Sequence, residues 1–114
     1  MLNPGPAKKV TIHLNEDTSS RSDFLSREIL DLLLREGVAG ATLSRPEAGF
    51  GSHHRLHEDS GGINSPGHRP LRIEFIEEQR NLDRFLPALI GLVTDGLIEA
   101  HDTVVLKAAA GTVQ

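Results

Sequence analysis

From Arg45 to Arg72 the chain reads RPEAGFGSHHRLHEDSGGINSPGHRPLR, and the reading of this stretch decides the fold. Its centre is Gly49-Phe50-Gly51-Ser52-His53-His54-Arg55-Leu56-His57. Both flanks read as ordinary folded segments. A compact domain rarely keeps a structureless loop longer than about 12–15 residues unless that loop binds something or is disordered. The second half, Glu58 to Gly67, is poor in apolar residues and rich in Gly, Ser and Pro, so it lacks the surface to order itself unaided. The rest of the chain is therefore read as a scaffold that holds out a long loop over residues 45–72.

Working outward, Pro70 closes the loop at the start of a strand, Leu71 to Glu77. Leu71, Ile73 and Phe75 face the core there, and Arg72 and Glu74 face away. On the other side, Ala41 to Arg45 is a short strand. Before it, Lys8 to Leu14 alternates cleanly, with Val10, Ile12 and Leu14 on one side and Lys9, Thr11 and His13 on the other. Between these strands lies a helix, Ser22 to Glu36, with Leu25, Ile29, Leu32 and Leu33 as its apolar stripe. Ser20 and Ser22 are its candidate N-caps, Asp23 and Glu28 suit its first turns, and Gly37 ends it. After the third strand, Asn81 to Val93 is a second helix, with Leu82, Phe85, Leu86, Leu89 and Val93 inward and Pro87 as an expected kink. Asp95-Gly96 is a turn. Leu97-Ile98 starts the last strand, His101-Asp102 interrupts it, and Thr103 to Lys107 completes it.

The order is strand, helix, strand, long loop, strand, helix, strand. Two right-handed strand–helix–strand units give an α+β, ferredoxin-like βαββαβ fold: a four-stranded antiparallel sheet with both helices on one face. The domain spans residues 8–107, with tails expected to be disordered at 1–7 and 108–114. The second sheet face carries Lys9, Thr11, His13, Thr42, Ser44, Arg72, Glu74, Ile76 and Val105. This mixture fits either a solvent-exposed face or, as the favoured reading, a subunit interface.

The totals narrow the function. The net charge is −4, from 12 basic and 16 acidic side chains. Residues 45–72 hold four of the Arg, three of the acids and four of the six His, so the scaffold itself is acidic. Nucleic acid is an unsuitable partner, and a small anion held by the loop is a better one. Four Phe, with no Tyr or Trp, make no base-stacking platform. The absence of Cys removes disulfides and thiolate metal sites. With no apolar run at the N-terminus and none of membrane-spanning length, the expected location is the cytoplasm. No nucleophile elbow, P-loop or paired-carboxylate pattern indicates an enzyme.

Ala41-Thr42, Arg45, Gly49-Phe50-Gly51-Ser52 and His57, taken in this order and spacing, resemble the PII-like domain of unknown function 190 within the PII signal-transduction superfamily. Phe85-Leu86-Pro87 and Asp95-Gly96-Leu97-Ile98 extend the resemblance over residues 8–107. It implies a homotrimer whose sheets face a central axis. It implies an effector, an adenine nucleotide or other small anion, in clefts between subunits at the base of the long T-loop. It also implies a partner engaged by that loop, often a membrane channel or transporter, including a fluoride-exporting channel of the CrcB type. PII proteins use the second Gly of Gly-Phe-Gly and a Gln two positions on; here these are Gly51 and His53. PII proteins also carry a Lys in the turn before the last strand. Here that turn is read as Glu99 to Thr103, without Lys.

Chemistry at the loop base supports the same nomination. Gly51 lets a backbone amide approach a phosphate or carboxylate, Ser52 offers a hydroxyl, and Arg55 can pair bidentately with an anion. The candidate effector residues are therefore Gly49, Gly51, Ser52, His53, Arg55 and His57, with Phe50 as an anchor to the core. Two other readings stand beside this one. The first is a metal-binding trimer similar to CutA, with His53, His54 and His57 as ligands. The second is slow hydrolysis of a bound nucleotide. His101 with Asp102 forms a conceivable acid–base pair.

Overall fold

The computed structural model describes residues 2–14, 19–45, 48–49, 57–58 and 71–109. The elements are β1 (Gly5–Leu14), α1 (Ser19–Arg35), β2 (Ala41–Ser44), β3 (Ala48–Gly49), β4 (His57–Glu58), β5 (Leu71–Glu77), α2 (Gln79–Leu92) and β6 (Gly96–Val105). Four strands form one antiparallel sheet in the order β2-β5-β1-β6, and β3 pairs with β4 in a separate two-stranded ladder. The α+β, ferredoxin-like arrangement expected from the element order is the one observed.

The core follows from strand alternation. Val10, Ile12 and Leu14 from β1 and Leu71, Ile73 and Phe75 from β5 are buried together with Ile29, Leu32 and Leu33 from α1 and Leu82, Phe85 and Leu89 from α2. Phe75 and Phe85 meet with ring centroids 6.1 Å apart at 41°, a tilted contact that suits the aromatic quadrupole. Because both helices pack on this face, the other face of the sheet is left open among the described residues.

Local chemistry sets where the helices stop. Gly37 has φ 81°, its N–H donates to Leu34 O at 3.2 Å, and Val38 N–H donates to Leu33 O at 3.0 Å. This is a Schellman motif, and buried Val38 supplies its apolar contact. At the start of α2 the N-cap residue Glu78 makes no side-chain cap. The preceding residue, Glu77, instead braces the helix start from the end of β5. Its buried carboxylate accepts from Glu78 N–H and from Asn81 Nδ2, both at 2.8 Å. Arg84 and Asn81 also donate to the Glu36 carbonyl at 3.4 Å, tying the end of α1 to the start of α2.

Several boundaries differ from expectation. β1 begins at Gly5, not Lys8, because residues 5–7 pair with Val105, Val104 and Thr103 of β6. α1 begins at Ser19, so Ser20 and Ser22 lie inside the helix and Asp23 and Glu28 fall beyond its first turn. Pro87 lies within α2 on its exposed side, where water can serve the carbonyl its ring cannot. β6 runs unbroken through His101 and Asp102, which pair with Lys9 and Lys8 of β1. The turn before the last strand is therefore at residues 93–95, not at 99–103. Ladder pairing along β1 outweighs the polar character of that dipeptide.

Candidate functional site at the base of the long segment

β2 and β5 are joined by the long segment, and their ladder brings its two ends together. Ser44 is opposite Arg72, Arg72 is opposite His13, and His13 is opposite Leu97. One row across all four strands thus forms the platform from which residues 45–70 leave and to which they return. Within that segment, Ala48 is opposite Glu58 and Gly49 is opposite His57. Two of the six nominated residues, Gly49 and His57, are brought face to face. Gly51, Ser52, His53 and Arg55 lie outside the described residues, as do Phe50, His54 and His68.

Next to this base, the open face carries charge in ordered rows. The row after Ser44–Arg72–His13–Leu97 is Thr42–Glu74–Thr11–Glu99, and Ile76–Lys9–His101 follows. Glu74 is held by Lys9 Nζ at 3.3 Å and Arg72 Nε at 3.4 Å. Arg72 Nε is itself inaccessible and makes no hydrogen bond among the described residues. Glu99 is held differently. His13 Nε2 and His101 Nε2 each lie 3.5 Å from the same Glu99 oxygen, Oε1. The His13 imidazole holds the Glu99 carboxyl below the usual carboxylate range, and His101 adds to the effect. Thr11 lies buried between the two carboxylates. His101 therefore faces Glu99 and not Asp102. Asp102 projects to the opposite face and pairs with Lys8, so the conceivable His101–Asp102 pair does not form.

Sequence reasoning placed His13 and Arg72 on this face but missed Glu99 and His101. The signal was available: Leu97, Glu99, His101, Thr103 and Val105 alternate once β6 is read without a break. Beside the first residues of β2, a cavity of 380 Å³ opens among Leu2, Lys9, Gly40, Thr42, Glu74 and Ile76. Among the described residues no group of three His, Asp or Glu is arranged to hold a metal ion. No helix among them is long and apolar enough to cross a membrane.

The family model DUF190, described as "Uncharacterized ACR", matches residues 7–105. The chain belongs to the DUF190 family. A UPF0166 protein from Methanocaldococcus jannaschii is 29% identical over 102 residues, covering 89% of this chain and 93% of that protein. Among solved structures, CPII from Thiomonas intermedia, a nitrogen regulatory PII-like protein bound to ADP, AMP and bicarbonate, is 25% identical with a TM-score of 0.59 and covers 94% of each chain. A PII-like signaling protein from Thermus thermophilus is 20% identical with a TM-score of 0.61, covering 92% of this chain and 94% of that one, which is a likeness of fold. DUF190 membership, together with these neighbours, makes this a PII-like protein.

Proposed function

We propose that this DUF190 protein is a PII-like regulator that binds an adenine nucleotide, with or without a small anion such as bicarbonate, at the base of its long segment. The observation that carries this reading is the 25% identical neighbour, matched over 94% of each chain and solved with ADP, AMP and bicarbonate. The local geometry is compatible with it. Ser44 and Arg72 close the base of the segment, and Gly49 and His57 pair within it. Gly51, Ser52, His53 and Arg55 follow on the same segment and supply the groups an anion needs.

The assembly that goes with this function is a homotrimer in which the open sheet faces meet and the binding clefts lie between subunits. The mixed, self-complementary charge on that face supports the arrangement, as does Leu97, more than half exposed in the single chain. Effector occupancy would shift the long segment between forms that bind and release a partner protein, a membrane channel or transporter. The role is regulatory rather than catalytic.

Titration calorimetry with ADP, AMP, ATP and bicarbonate, singly and in pairs, tests the proposal. The expected result is saturable binding of at least one adenine nucleotide, weakened at least about tenfold by Arg55→Ala, the loss of one charge-assisted contact. No binding of any of them by a folded protein would overturn it.

A further inference from the structure

The open face holds two kinds of carboxylate site. Glu74 has permanent cations as partners, Lys9 at 3.3 Å and Arg72 at 3.4 Å. Among the described residues, Glu99 has only imidazoles as partners, His13 and His101, each at 3.5 Å from one oxygen. Among the described residues, the charged and titratable groups along these paired rows are Lys9 and His13 from β1, Arg72 and Glu74 from β5, and Glu99 and His101 from β6. β2 adds only Thr42 and Ser44. With neutral imidazoles the two cations balance the two carboxylates. Both imidazoles also sit directly across from a permanent cation, His13 opposite Arg72 and His101 opposite Lys9. Like charges directly opposite on a sheet are destabilising, and His is the side chain whose ordinary titration falls between about pH 5 and 8.

We propose that His13 and His101 make self-assembly of this protein proton-sensitive: copies associate through the open face near neutral pH and separate in mild acid. The inference rests on the reading that this face is buried between copies. In one exposed chain, water and Glu99 accommodate the added protons. When faces meet, each protomer brings two extra positive charges into a space from which water is excluded, and their repulsion is poorly screened. Acid thus acts on association while the fold of each chain persists.

Sedimentation analysis of the full chain at about pH 8 and about pH 5.5, with circular dichroism to follow the fold, tests this. The expected result is a trimer at the higher pH and a dissociation constant raised at least about tenfold at the lower. In His13→Gln/His101→Gln the trimer should persist at both values, and His101→Gln alone should give an intermediate response. Absence of a trimer at the higher pH removes the assembly reading and this inference with it. A wild-type trimer indifferent to pH overturns the inference alone. Equal acid dissociation of a folded double variant does the same.

Discussion

Gly96→Ala puts the β1–β6 ladder to a direct test. Gly96 opens β6 opposite Leu14, beside the row that carries the base of the long segment. A Cβ built there would lie 2.1 Å from the His13 carbonyl oxygen, 3.2 Å from its carbon and 3.3 Å from Leu14 Cα. All three are backbone atoms, so no rotamer change relieves the contact. The first residues of β6 would have to move off β1 by about 1 Å, which costs about 1–3 kcal/mol as overpacking. A weakened ladder hydrogen bond adds about 0.5–1.5 kcal/mol, for a combined loss of about 1.5–4.5 kcal/mol. At about 4 °C per kcal/mol for a chain of this size, Tm should fall by about 6–18 °C. Gly37→Ala is the control. Among the described residues nothing lies within 4 Å of a Cβ built there, and its φ of 81° alone carries a cost, about 1 kcal/mol. Urea and thermal unfolding followed by circular dichroism measure both. Should Gly96→Ala fall within about 0.5 kcal/mol of the parent, or prove milder than Gly37→Ala, the pairing of Gly96 with Leu14 is wrong.

Leu89→Ala empties a fully buried site at the centre of the core and should cost about 2–5 kcal/mol in the same unfolding experiment. Glu77→Ala removes the acceptor of two 2.8 Å hydrogen bonds at the start of α2. It should cost about 1–3 kcal/mol, with early loss of amide protection in the first turn of that helix. The Lys8 ammonium holds the Asp102 carboxyl below its ordinary value of 3.8. A carboxyl depressed in the folded state stabilises above its ordinary range and loses that contribution as pH falls through the folded value. NMR titration should therefore place the Asp102 midpoint below 3.8, and Lys8→Met should bring it back.

Legibility in the sequence depended on how each feature is encoded. The strand Leu71–Glu77 was read with the bounds the structure shows, because Leu71, Ile73 and Phe75 alternate with Arg72 and Glu74 directly after Pro70. The stripes of both helices were equally clear. β6 was misread at His101-Asp102, because an edge strand with mostly exposed side chains carries little periodic apolar signal. Its continuity comes from pairing with β1, a partner more than eighty residues away. The burial of Glu77 and its two hydrogen bonds at the start of α2 were not legible, because they depend on how β5 meets that helix.

The open-face cluster was the least readable feature. His13 and Glu99 are separated by 86 positions in the chain, and no local pattern links them. The amino-acid order by itself determined the apolar stripes that turn inward, the order of the four sheet strands and two helices, and the Gly-Phe-Gly segment that carries the family likeness, because these depend on periods and turn chemistry within a few residues. Only the tertiary structure decided that Glu74 meets permanent cations while Glu99 meets imidazoles. That difference is set by strand order and register, which place side chains within a few ångströms of one another across gaps that short-range preferences do not span.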